Sequence, residues 1–142
     1  MATSREVVEV AVGVIRKDQE FLLAKRPEGK PYAGFWEFPG GKLEKNETIE
    51  KALNRELQEE LGIEVVKSVA WEIIEHDYPH AYVRLNLFQV TQGLGDPTGL
   101  EGQDVSWQRL GDYKTGSKED NQLKPLLPAT VTIIEMLLED MD

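Results

Sequence analysis

The sequence predicts an α/β fold, a sandwich of helices on a sheet, from three observations. Two runs rich in Val, Ala and Leu, Val7 to Ile15 and Glu20 to Lys25, flank a hairpin turn at Lys17-Asp18-Gln19. Ile49, Leu53, Leu57 and Leu61 recur at helical spacing and form an apolar stripe. A second helical pattern, Ile133, Ile134, Leu137 and Leu138, closes the chain after Pro128, a residue suited to a helix N-terminus.

The remaining elements follow in order. Arg26 to Phe35 holds Pro27, Gly29, Pro31 and Gly34 and reads as a loop. The run Trp36 to Lys42 leads from it into the first helix, and its Gly40-Gly41 pair permits close backbone approaches. Thr48 is the expected N-cap of that helix and Gly62 its C-terminal stop. Ile63 to Glu75 and Ala81 to Val90 read as strands around a turn at Asp77-Tyr78-Pro79-His80. Gly93 to Gly102 is a glycine-rich loop, Asp104 to Leu110 a short strand, and Gly111 to Lys124 a polar segment expected to be mobile. The pattern holds no internal repeat, and a single domain is expected.

At 142 residues the chain suffices for one domain with a real core. It is 40% hydrophobic and 30% charged, and no apolar run approaches a membrane-spanning length. Met1 to Glu6 lacks the apolar run of a secretory leader, so a cytoplasmic location and no membrane partner are expected. The absence of cysteine excludes disulfides and thiolate metal sites. A net charge of −10 argues against a nucleic-acid polymer as partner. It leaves open a small polyphosphate held through cations and a few local Lys or Arg side chains.

The chemistry concentrates in Arg55-Glu56-Leu57-Gln58-Glu59-Glu60. On a helix Glu56, Glu59 and Glu60 share one face, opposite the leucine stripe. Like charges at those spacings weaken a helix by roughly 0.2–0.5 kcal/mol per pair. A hard divalent cation reverses the sign, because Mg²⁺ and Mn²⁺ favour carboxylate and water oxygens.

Gly41, Glu47, Arg55, Glu56, Leu57, Glu59, Glu60, Gly62 and Ile63 match every defined position of G-x5-E-x7-R-E-U-x-E-E-x-G-U, where U is aliphatic. In this the chain resembles the Nudix hydrolase family. The first strand, Arg26, the Trp36–Lys42 run and Leu100-Glu101-Gly102-Gln103 are similar to the family's MutT-type members. The resemblance implies a single domain over residues 1–142, with the box at 41–63. It also implies an α/β/α sandwich with a mixed sheet, a catalytic helix after a glycine-rich loop, and a C-terminal helix.

It further implies Mg²⁺, with Mn²⁺ as substitute, held by Glu56, Glu59, Glu60, Glu101 and a carbonyl of the glycine pair, Gly40 or Gly41. Arg55 and Glu47 would form an ion pair that fixes loop to helix. Glu56 and Glu101 are rival bases for the attacking water. The implied reaction is hydrolysis of a nucleoside triphosphate to monophosphate and pyrophosphate, by attack at the β-phosphorus. Arg26 and Lys42 would contact phosphate, with base stacking an alternative for Arg26. Glu37 is either a neighbour of the metal or phosphate site or a loop cap.

The leading substrate that the resemblance implies is 8-oxo-dGTP. Guanine-specific members carry asparagine in a Pro-Ala-Asn segment, where this chain has Pro128-Ala129-Thr130, so CTP and 5-methyl-dCTP stay open. Tyr78 or Trp36 either stacks on the base or belongs to the core. His76 and His80 read as structural or solvent-facing. Competing readings are a nucleotide sugar, dinucleotide or dinucleoside polyphosphate substrate, a non-catalytic binding module, and a structural acidic domain. Monomer and homodimer are both open.

Overall fold

The computed structural model describes residues 6–117 and 121–140. In chain order the elements are β1 (Val7–Lys17), β2 (Glu20–Lys25), β3 (Trp36–Glu37), β4 (Gly40–Lys42), α1 (Ile49–Leu61), β5 (Glu64–Tyr78), β6 (Ala81–Leu94), β7 (Val105–Arg109), a 3₁₀ turn (Leu110–Tyr113) and α2 (Pro128–Asp140). The strands form a mixed sheet ordered β3-β2-β1-β6-β5, with β4 added on β1 and β7 on β2.

β1 organises the sheet. It runs parallel to β6 from the Val7–Tyr82 pair to the Ile15–Val90 pair. Its other edge is divided: Val10 to Val12 pair with β4, while Arg16 and Lys17 pair with β2 across the hairpin. An interior strand of this kind reads as a continuous apolar run, and residues 11–15 are all buried. Its side chains alternate between two cores. Val12 and Val14 enter a cluster with Phe38, Leu85, Leu87, Ile133 and Leu137. Ala11 and Ile15 enter one with Leu53, Leu57, Leu61 and Phe88. α2 covers the first face and α1 the second, so the predicted three-layer sandwich is what forms.

Several boundaries differ from the sequence reading. β5 and β6 are longer than expected, and Asp77 and Tyr78 belong to strand, leaving Pro79-His80 as the turn. The short strands β3 and β4 lie in a run whose glycines and proline hide strand character. The segment expected to be mobile begins with the 3₁₀ turn, and Tyr113 packs on the core. The Tyr113 hydroxyl donates to Gln108 Oε1 at 2.5 Å and accepts from Leu123 N–H at 3.1 Å. Residues 118–120 of that segment, and the N-terminal residues 1–5, lie outside the described residues.

Candidate active site

α1 is built as its sequence suggests. Thr48 Oγ1 accepts from Lys51 N–H at 3.2 Å, and Gly62, with φ 70°, returns its N–H to the last turn. Ala52, Leu53, Leu57 and Leu61 are fully buried, which fixes the rotation of the helix and turns Glu56 and Glu60 toward the glycine loop, with Glu59 exposed beside them. The approach is close: a Cβ on Gly41 would stand 2.4 Å from the Glu56 carboxyl carbon.

Arg55 ties the loop to the helix. Its Nε donates to Glu47 Oε2 at 2.7 Å and its Nη2 to Glu47 Oε1 at 2.9 Å, a two-pronged pair. Nη2 also reaches the Lys42 carbonyl at 3.0 Å, and Nη1 reaches Glu56 Oε1 at 2.9 Å and Glu59 Oε2 at 3.3 Å. The Arg55 hydrogen bond, helped by the Glu44 N–H, holds the Glu47 carboxyl down at about 2. Arg55 in turn is held more firmly charged than usual.

Glu60 is in the opposite situation. Burial first, and then the charges of Glu56, Glu37 and Glu101, push its carboxyl up to about 8. One hydrogen bond opposes this, from Gly40 N–H to Oε2 at 3.2 Å. Burial also raises Glu56, against the pull of Arg55. Both acids sit near the C-terminal half of α1, where the helix dipole disfavours negative charge.

These acids line one wall of a cavity of about 660 Å³. Its other walls are Val10, Val12 and Phe38 from the sheet and loop, Val83 and Leu85 from β6, and Ala129, Thr130 and Ile133 from α2. The volume and the mix of apolar wall with a few polar groups suit a small organic ligand. Arg26, Glu37, Lys42, Tyr78 and His80 also line it.

The predicted substrate residues therefore converge on the cavity, in unequal roles. Arg26 Nη1 donates to both Glu37 oxygens at 3.0 Å and its Nε to the Pro31 carbonyl at 2.7 Å, so its charge is already paired. Burial raises the Glu37 carboxyl, and Arg26 opposes that rise. Tyr78 is buried, and its hydroxyl accepts from Ala129 N–H at 3.0 Å, pinning the first turn of α2. Its ring stacks with His80 and lies 4.1 Å from that of His76. Thr130 is buried at the start of α2. Trp36 belongs to the core.

Glu59 and Glu101 stand outside the cavity wall, both exposed. Glu101 is nonetheless close enough for its charge to act on Glu56 and Glu60. The sequence reading missed His80 as a cavity residue and missed the apolar wall of Val10, Val83, Leu85 and Leu127. The apolar character of Val10, Val83 and Leu85 along β1 and β6, and of Leu127 before α2, marks them as buried but not as facing an open space.

Among the described residues no three acidic or histidine side chains converge on one point as an all-protein cage requires. Mg²⁺ rarely uses such a cage; it keeps several waters and takes one or two carboxylates. Glu56 and Glu60, two crowded carboxylates beside Gly40 with one displaced toward neutrality, are a donor set of that kind.

A model of the NUDIX domain matches residues 10–118. The chain belongs to the Nudix family. It is 38% identical over 137 residues to the 8-oxo-dGTP diphosphatase of Haemophilus influenzae, covering 96% of this chain and 95% of that one. It is 32% identical over 133 residues to the CTP pyrophosphohydrolase of Escherichia coli, covering 94% and 93%. A MutT NUDIX hydrolase from Burkholderia pseudomallei superposes with a TM-score of 0.79 at 27% identity, over 92% of this chain and 97% of that one. Nudix hydrolases generally depend on a divalent metal, in keeping with the acidic wall. No helix among the described residues is long and apolar enough to cross a membrane.

Proposed function

We propose that this chain is a divalent-cation-dependent hydrolase that converts 8-oxo-dGTP to 8-oxo-dGMP and pyrophosphate, clearing oxidised nucleotide from the precursor pool for DNA. The observation that carries this reading is the cavity in which Glu56 and Glu60 face an apolar wall wide enough for a base. The high-coverage likeness to an 8-oxo-dGTP diphosphatase supports it.

Glu56, Glu60 and the Gly40 backbone would hold the cation, with Glu59 and Glu101 at its outer side. The cation would supply charge neutralisation on the polyphosphate and activation of water. Arg55 fixes the Glu56 carboxylate through Nη1 and fixes the loop through Glu47 and the Lys42 carbonyl. Lys42, at the cavity mouth, meets the phosphates. Arg26, oriented by Glu37, can reach phosphate or lie against the base. Phe38, Val83, Leu85 and Ile133 exclude water around the base, and Tyr78 anchors Ala129 and Thr130 at its edge. Glu101 or Glu56 takes the proton from the attacking water.

A second reading, a pyrophosphohydrolase for CTP or 5-methyl-dCTP, rests on Thr130. A hydroxyl stands where a purine-reading amide would offer a paired donor and acceptor. The E. coli CTP pyrophosphohydrolase is the matching relative. The test is pyrophosphate release with Mg²⁺ from 8-oxo-dGTP, dGTP, CTP and 5-methyl-dCTP. The proposal expects 8-oxo-dGTP to be hydrolysed fastest; a cytidine nucleotide in first place selects the second reading, and inactivity on all four rejects both.

A further inference from the structure

We propose that Gln103 is a positioning residue that holds Glu101 at the acidic face of α1. The inference rests on the reading of Glu101 as a member of the catalytic machinery. The loop between β6 and β7 hangs on the end of α1. Leu100 N–H donates to the Glu60 carbonyl at 2.9 Å and Thr98 N–H to the Leu61 carbonyl at 3.1 Å. Those bonds, with the Gly62 N–H, satisfy carbonyls that any helix end leaves open.

Gln103 adds something that capping does not require. Its Nε2 donates to the same Glu60 carbonyl at 3.2 Å, while its Oε1 accepts from Glu101 N–H at 2.9 Å. One amide thus joins the backbone of Glu60 to that of Glu101, residues far apart in sequence. The turn is drawn tight around it: Gly102 N–H donates to the Gly99 carbonyl at 3.1 Å. A Cβ on Gly99 would lie 1.8 Å from the Gln103 carbonyl oxygen, so the turn closes only with glycine there.

Glu101 itself is exposed, and among the described residues its backbone N–H donates to no acceptor other than Gln103 Oε1. Without Gln103, its carboxylate would have to be ordered against the acids of α1 at each turnover, at an entropic cost. The helix cap would survive, because Leu100, Thr98 and Gly62 do not depend on the amide.

The experiment is Gln103→Met, made in the native protein and in Glu101→Gln, with kcat, KM for 8-oxo-dGTP and melting temperature measured at saturating Mg²⁺. Losing two hydrogen bonds that hold a reacting group is expected to lower kcat about tenfold in the native background, with KM within about twofold. In the Glu101→Gln background the further loss should stay below about twofold, since the group to be positioned is gone. Gly99→Ala should show the same dependence on background without altering the amide. Equal losses in both backgrounds, for either substitution, overturn the inference and leave the amide a structural brace. A Glu101→Gln protein as active as the native one instead removes the reading of Glu101 on which the inference stands.

Discussion

Glu60 is a carboxylate that burial and neighbouring charge push up to about 8. Its folded-state value lies above its ordinary one, so between about 4.5 and about 8 the folded chain keeps a proton that the unfolded chain has lost. The stability this supplies is full below about 4.5 and disappears as pH rises through about 8. Metal-free protein should therefore lose melting temperature across that window, and Glu60→Gln should flatten the profile, measured by calorimetry in chelator. Metal affinity should rise over the same window, because a ligand carboxylate must be ionised. Glu47 behaves in the opposite sense. Held down at about 2 by Arg55, it stabilises above its ordinary value and loses that contribution as the solution is acidified toward about 2. At Thr130, substitution by asparagine restores a paired donor and acceptor at the cavity wall. It is expected to shift the ratio of kcat/KM values toward 8-oxoguanine nucleotides, and an unchanged ranking would show that the position does not read the base.

On the proposed function the acids of α1 carry the activity, and the two faces of that helix are separable. Leu57 is fully buried against β1, where a Cβ on Gly13 would meet Leu57 Cδ1 at 2.9 Å. Leu57→Ala should cost about 2–5 kcal/mol of stability and release the acidic face from its fixed rotation. Both denaturation midpoint and turnover should fall. Gly41→Ala acts on the other side, forcing the Glu56 carboxyl away from the loop. There turnover should collapse while the melting temperature moves little. Glu56→Gln should do the same with the loop intact. Loss of stability in parallel with activity would show that the glycine approach is architectural.

For the whole molecule, the net charge of −10 and the acids crowded on α1 favour binding of a cation. Binding of a cation to the native state alone stabilises by about 2.7 kcal/mol at a hundred times its dissociation constant. Mg²⁺ or Mn²⁺ should accordingly raise the melting temperature of the native protein and raise that of Glu56→Gln much less. No response to either ion in the native protein would remove the metal-site assignment.

The layers and the acid-bearing helix were legible in the amino-acid order alone. Leucine spacing, the Thr48 cap and the Gly62 stop delimit α1, and the Val- and Ala-rich run from Val7 to Ile15 marks a strand, because both signals are local in the chain. The acidic face was legible for the same reason: residues three and four apart meet on any helix. Which acids face the cavity and which face solvent emerged from the folded packing, since that depends on how the glycine loop lies across α1. It separated Glu56 and Glu60 from Glu59 and Glu101, and it gave Arg26 a partner in Glu37. It placed Trp36 in the core and Tyr78 as the clamp of α2. It also brought Gln103 to the Glu60 carbonyl, a contact between residues too distant in sequence for any periodicity to announce.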